Sequence, residues 1–300
     1  MSAAEMTCGM VALLGAPNVG KSTLINQLVG QKVSIVTRKV QTTRARVRGI
    51  AIEGGSQIIF VDTPGIFEPK RRLDRAMVRA AWDEAGDADV VTLLIDAERG
   101  IDRDTKRIID GLKQRRIGVV LIINKIDAVR RDSLLGLTEL LAETGVFRDT
   151  FMISALNGDG VDDLRSFFAS QMPFGPWLFP EDQLSDVPQR LLASEITREK
   201  LFERVHQELP YATTVETESW EDKRDGSARI DQIIYVERDG QKAIIIGNKG
   251  SKIKEIGSQS RAELESIIGI KVHLFLRVKV RPKWADERAR YREIGLNFVD

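Results

Sequence analysis

The chain has 300 residues, of which 30% are charged and 42% hydrophobic, and a formal net charge of +1. That length suits two hydrophobic cores better than one, and the near-neutral balance confines any nucleic-acid-facing surface to a local basic patch. A single cysteine, Cys8, excludes an intrachain disulfide, and two histidines (His206 and His273) without a cysteine cluster argue against a protein-built zinc site. The apolar runs are strand-length, short of a membrane span, and Met1 to Met6 does not read as a targeting peptide.

In chain order, Met10 to Leu14 reads as a buried strand and Ser22 to Leu28 as a helix. Between them Gly15, Ala16, Pro17, Asn18, Val19, Gly20, Lys21 and Ser22 fit G-x-x-x-x-G-K-[ST] without a mismatch. Glycines let backbone N–H groups turn inward around phosphate oxygens. Lys21 can reach the outer phosphates, and the Ser22 hydroxyl can hold Mg²⁺. The polar segment Arg38 to Arg44 follows, and one of Thr42 and Thr43 is expected to complete the Mg²⁺ shell, with Thr43 slightly favoured.

Arg46 to Ile52 and Gln57 to Val61 read as a hairpin around Gly54-Gly55. The second strand runs into Asp62-Thr63-Pro64-Gly65. Asp62 can hold Mg²⁺ through water, and the Gly65 N–H can touch a γ-phosphate. Ile66 follows, where Ras-like enzymes carry a water-orienting glutamine. An isoleucine cannot hydrogen-bond to water, so unaided turnover is expected to be slow. Arg44 could stabilise charge in cis, and the Asn18 side chain could instead hold K⁺ against the phosphates. The expected catalytic set is therefore Lys21, Thr43, Gly65 and Asn18.

Leu73–Ala85, Asp102–Gln114, Asp132–Thr144 and Val161–Ser170 read as helices, and Asp89–Leu94 and Gly118–Ile123 as buried parallel strands. The second of these strands ends in Asn124-Lys125-Ile126-Asp127. Asp127 can accept both the N1–H and the exocyclic amine of guanine, a donor pair that adenine lacks. Lys125 can lay its stem along the base, and Asn124 can tie this loop back to the phosphate loop. Phe151 to Ala155 reads as a further strand, whose end, Ser154-Ala155, can offer N–H groups to guanine O6. The pattern predicts a mostly parallel sheet with helices on both faces, binding guanine nucleotide over residues 1–171. Prolines and aromatics from Met172 to about residue 190 mark a linker.

From there to residue 300 the texture is α+β. A helix (Ala193–Leu209) precedes two strands, Tyr211–Glu218 and Ile230–Arg238. Lys242 to Ile246 then meets Gly247-Asn248-Lys249-Gly250, a helix runs to Ile268, and Val272–Val280 forms a last strand. A G-x-x-G turn lets a sugar-phosphate chain approach the backbone, and Lys249, Lys252 and Lys254 supply charge. Ile244, Ile246 and Ile253 border a groove for splayed bases. The order of elements points to a type II KH domain. Trp284 to Arg290 closes the chain as an amphipathic helix, with Trp220 and Trp284 expected to pack rather than stack on bases.

Together G-A-P-N-V-G-K-S, Q-T-T-R, D-T-P-G, N-K-x-D, S-A, I-I-G-N-K-G-S-K-I-K and W-A-D-E-R resemble the Era family of GTPases over essentially the whole chain. Ile66 agrees with that family's hydrophobic residue. The resemblance implies a P-loop GTPase domain followed by a type II KH domain. It implies a GTP-hydrolysing assembly factor for the 30S ribosomal subunit, whose KH domain grips the 3′ end of 16S rRNA and releases it after hydrolysis. GTP or GDP and Mg²⁺ are the implied ligands, with K⁺ the further expectation from Asn18. A cytoplasmic location is implied, with peripheral association at the inner membrane that nothing in the composition shows, and the chain is expected to act as a monomer. The rival readings are an RNA chaperone with incidental hydrolysis and a signalling GTPase whose KH domain docks protein.

Overall fold

A computed structural model of the chain describes residues 6–37, 39, 47–205, 209–282, 284, 287–288, 291 and 296–298. Thr42, Thr43 and Arg44 lie outside the described residues, as do His206 and much of the expected helix Trp284 to Arg290. The described residues divide into two compact units. The first comprises 6–34, 47–186, 291 and 296–298, and the second comprises 35–37, 39, 187–205, 209–282, 284 and 287–288.

The first unit is built on six strands: β1 (Thr7–Gly15), β2 (Val47–Glu53), β3 (Ser56–Asp62), β4 (Val90–Asp96), β5 (Val119–Asn124) and β6 (Phe147–Ile153). Their order is β2-β3-β1-β4-β5-β6, with β2 antiparallel to β3 and every other pair parallel. Continuous burial along β1, β3, β4 and β5 follows from their uninterrupted apolar runs, the signature of a sheet covered on both faces. The covering helices are α1 (Lys21–Val29), α2 (Arg72–Asp87), α3 (Arg103–Arg115), α4 (Arg131–Ala142) and α5 (Val161–Gln171). Asp102 caps α3 by accepting the Thr105 N–H at 2.7 Å, and Gly30 ends α1 in the left-handed conformation. The strand expected from Phe151 starts four residues earlier, at Phe147, because its exposed face alternates with polar residues and hides the start of the pairing with β5.

The proline-rich segment after α5 does not hang free. Gln57, fully buried on β3, accepts the Leu178 and Phe179 N–H groups at 2.9 and 3.0 Å and donates to the Phe179 carbonyl at 2.8 Å. Further on, the Ile50 N–H donates to the Leu184 carbonyl at 2.9 Å, and Asp186 accepts the Arg48 N–H at 3.0 Å. Residues 172–186 thus extend the first unit, and the side chain that organises them lies more than a hundred residues upstream. Tyr291 and Leu296 pack with Ala76 and Met77 of α2.

The second unit carries α6 (Gln189–Arg204), β7 (Thr213–Asp222), β8 (Ala228–Val236), α7 (Asp239–Ile246), α8 (Ser251–Ile268) and β9 (Val272–Val280). β8 is central, antiparallel to β7 and parallel to β9. α6 ends at Arg204, earlier than the apolar pattern to Leu209 suggests, and Leu209 instead joins the core with Val215 and Ile234. Trp284 is buried and donates its indole N–H to the Ala212 carbonyl at 3.1 Å, while Trp220 packs beside Ile230 and Leu264. Among the described residues no helix is long and apolar enough to cross a membrane.

Phe168 of α5 is fully buried and meets Phe60 of β3 edge-on at 5.7 Å between ring centroids. Phe168→Ala is expected to cost about 3–5 kcal/mol through lost burial and the cavity left behind, read from urea denaturation of the nucleotide-free protein.

Candidate functional site

Parallel pairing brings the ends of β1, β3, β4 and β5 to one edge. Leu13 pairs with Asp62, Gly15 with Leu94, Asp96 with Asn124, and Asn124 with Ile153. Ligands of open α/β sheets bind outside this carboxyl edge. The phosphate loop leaves β1 there and re-enters as α1. Gly20 sits at φ 101°, and a Cβ on it would fall 2.3 Å from the Asn124 amide nitrogen, so a glycine is required on both counts. Asn18 also takes a left-handed backbone, φ 65°, a conformation asparagine tolerates better than most residues.

Lys21 is 6% exposed, and its ammonium donates to the Gly15 and Ala16 carbonyls at 3.1 Å each. Burial pushes its pKa down to about 8, with the Asp62 carboxylate opposing the shift. A cation held this poorly by its surroundings is ready to exchange those carbonyls for phosphate oxygens. Asp62 is fully buried, and its Oδ2 accepts the Ser22 hydroxyl at 2.8 Å and the Ser34 hydroxyl at 2.6 Å. Ser34 was not among the sequence candidates. Asn26 of α1 places it by accepting the Val33 and Ser34 N–H groups at 2.9 Å and donating to the Ser34 carbonyl at 2.8 Å. An N-x₇-S relation between a helix and the loop after it has no local signature, so the sequence offered no signal for it. Hydroxyl and carboxylate oxygens side by side are the hard donor set that Mg²⁺ takes, so Ser22 and Asp62 fit that ion.

Beyond Asp62 the D-T-P-G segment divides its labour. The Thr63 hydroxyl donates to the Leu13 carbonyl at 2.6 Å and Pro64 is buried, so both fasten the turn. The Ile66 side chain lies in the core at 1% exposure, and its N–H donates to the Gly15 carbonyl at 3.1 Å. Ile66 thereby ties the two loops together and presents no side chain to a nucleotide. Ala16 and Val19 are likewise buried, at 1% exposure each.

In the base loop, Asn124 is 2% exposed; its amide donates to the Val19 carbonyl at 2.8 Å and its oxygen accepts the Ala155 N–H at 2.9 Å. The expected tie to the phosphate loop is present in the geometry and reaches a third loop as well. Lys125 takes a left-handed backbone, φ 66°, and an exposed Asp127 follows in a single helical turn, Ile126–Ala128. The Ser154 N–H donates to the Asp159 carbonyl at 3.0 Å. Both N–H groups expected to meet guanine O6 are therefore engaged inside the protein, and a contact with O6 would have to displace one of these bonds.

In the second unit Gly247 ends α7 at φ 73°, and a Cβ there would lie 2.8 Å from that of Lys252. Asn248 and Lys249 form an exposed turn, and Gly250 passes the chain into α8 at Ser251. Lys249 and Lys254 are exposed and Lys252 half-buried beside the α8 N-terminus, where the helix dipole favours phosphate. Ile244 is 50% exposed next to this turn, while Ile246 and Ile253 lie partly in the core.

A family model described as a 50S ribosome-binding GTPase matches residues 10–125, and one described as a KH domain matches residues 208–285. The GTPase Era of a Bradyrhizobium species (strain BTAi1) is 59% identical over 98% of this chain and 96% of its own length. That of Mesorhizobium japonicum is 61% identical over 97% and 94%. The chain belongs to the Era GTPase family. Family resemblance extends to the fold: a crystal structure of Era with MgGDPNP and nucleotides 1506–1542 of 16S ribosomal RNA superposes at TM-score 0.91, with 40% identity, over 97% of this chain and 99% of that one. An Aquifex aeolicus Era variant bound to GDP·AlF₄⁻ matches equally well, at TM-score 0.91 and 40% identity over 97% and 99%. GTP hydrolysis with guanine nucleotide and Mg²⁺ is thus the chemistry of this family's first unit.

A base whose folded pKa lies below its unfolded value costs the folded state stability while protonated. Between about pH 8 and 10.5 the folded chain has released the Lys21 proton and the unfolded chain has not, so stability rises with pH across that window. The urea midpoint of the nucleotide-free protein, taken relative to Lys21→Met at each pH, is expected to climb through this range.

Proposed function

We propose that this protein is a Mg²⁺-dependent GTP hydrolase whose second unit grips the 3′ end of 16S ribosomal RNA, with nucleotide state gating that grip during assembly of the 30S subunit. The observation that carries the reading is the end-to-end likeness, at TM-score 0.91, to an Era chain crystallised with both a magnesium–nucleotide complex and that RNA. The description of the first family model names the large subunit, but that match stops at residue 125, short of the RNA-facing unit. The full-length relative therefore weighs more.

On this reading the phosphate-loop N–H groups and Lys21 surround the β- and γ-phosphates, preorganised before the substrate arrives. Ser22 and Asp62 would hold Mg²⁺, which when bound neutralises charge on those phosphate oxygens. Thr42 or Thr43, Thr43 by preference, completes that shell, and the Gly65 N–H meets the γ-phosphate. Asp127 reads guanine, Lys125 lies along it, and Asn124 holds their loop to Val19. With the Ile66 side chain in the core, water is positioned by backbone or by a bound partner, so basal turnover is slow. Asn18 would hold a K⁺ ion against the phosphates in place of an arginine. The side-chain-free turn from Gly247 to Gly250, with Lys249, Lys252 and Lys254, takes the RNA backbone. The protein works as a cytoplasmic monomer, with at most peripheral contact to the inner membrane.

The test is GTP hydrolysis with and without an RNA oligonucleotide matching the 16S 3′ end, at fixed salt, in K⁺ and in Na⁺. RNA is expected to raise the rate, and the double substitution Gly247→Asp, Gly250→Asp to remove that stimulation. Lys249→Glu should lower the salt slope of RNA binding by about one. RNA binding without a change in rate would favour the chaperone reading, and no binding would end the rRNA assignment. Faster hydrolysis in K⁺ supports the Asn18 site; equal rates remove it.

A further inference from the structure

Asp96 ends β4 directly opposite Asn124 in the parallel register, and its side chain is 2% exposed. Its Oδ2 lies 2.6 Å from the Lys125 ammonium and 3.8 Å from Nε of Arg99, and its Oδ1 accepts the Glu98 N–H at 3.0 Å. Arg99 in turn donates from Nη1 to the Pro17 carbonyl at 3.0 Å. A carboxylate this deeply buried keeps its charge at a cost unless cations answer it. The two cations that do so belong to different loops of the site: Lys125 to the base loop, while Arg99 touches Pro17 of the phosphate loop.

We propose that Asp96 is a positioning residue for nucleotide binding. It holds the Lys125 ammonium so that the lysine stem stands ready as one wall of the base site, and through Arg99 it ties that wall to Pro17. An unanchored lysine would lose the freedom of four side-chain bonds when a base arrives, a loss charged against affinity. Anchoring it beforehand to a buried carboxylate removes much of that loss. The asparagine clasp between Asn124 and Val19 fixes the backbones of the same two loops, and the Asp96 relay fixes the side chain that must move least. The inference rests on Lys125 facing the base.

The experiment is a double-mutant cycle in the full chain with Mg²⁺, reading the Kd of a fluorescent GDP analogue for wild type, Asp96→Asn, Lys125→Ala and the pair. Asp96→Asn is expected to weaken GDP about tenfold in the native background and less than about twofold once Lys125 is alanine, because coupled residues depart from additivity. In Asp96→Asn the KM for GTP should rise with Kd while kcat falls by a smaller factor. Equal weakening in both backgrounds would overturn the proposal, since general support of the fold does not pass through Lys125. Wild-type affinity in Lys125→Ala would overturn it at its premise, and with it the placing of Lys125 on the base. Should Asp96→Asn fail to fold by circular dichroism, Arg99→Gln at the exposed end of the relay replaces it in the cycle. Its smaller weakening must also shrink when Lys125 is alanine, and an additive result there overturns the proposal equally.

Discussion

Parallel pairing of β1, β3, β4 and β5 is the constraint on which the first unit's chemistry depends. Strands that run the same way finish at the same edge, so Gly15, Asp62, Asp96 and Asn124 converge although more than a hundred residues separate the first from the last. No loop has to travel far to build the site; each only has to leave its strand at the right residue. Apolar runs along the strands hold the edge rigid, because sliding one strand would unpack both covered faces at once.

At and beside that edge several polar side chains are buried or half-buried and hydrogen-bonded to backbone groups of other loops. Asn124 satisfies one carbonyl and one N–H from two other loops. Thr63 satisfies the Leu13 carbonyl, and Asn26 satisfies three backbone groups around Ser34. Leaving any of these groups dry and unmatched would cost about 1–3 kcal/mol, so the arrangement is held as a set. Lys21 is the contrast. Its burial disfavours its own charge, and a residue kept at odds with its surroundings is suited to a ligand that brings countercharge.

The second unit solves a different problem with the backbone. Two helices, α7 and α8, meet at a turn whose glycines permit φ values near 75° and leave no side chain over the turn's open side at Gly250. Lysine charge is then added at the rim, where solvation costs little, while the apolar core of β8 with Ile245 and Ile256 fixes the angle from below. Rigid support beneath and an open, positively charged turn above suit recognition of a sugar-phosphate chain.

Much of this was legible in the sequence, because phosphate and guanine recognition are short-range demands. G-x-x-x-x-G-K-S, D-T-P-G, N-K-x-D and G-x-x-G each place their chemistry within a few residues, and alternation of apolar runs with amphipathic helices named the fold. What the sequence could not say concerns pairs distant along the chain. Gln57 gathers the segment after α5, Ser34 joins Ser22 on Asp62, Ile66 turns inward, and Asp96 faces Lys125. None of these relations leaves a local pattern, since each depends on residues that only the folded chain brings together. Local chemistry was set by residue order, and which side chains answer one another was decided by strand register and by the need to leave no buried polar group unmatched.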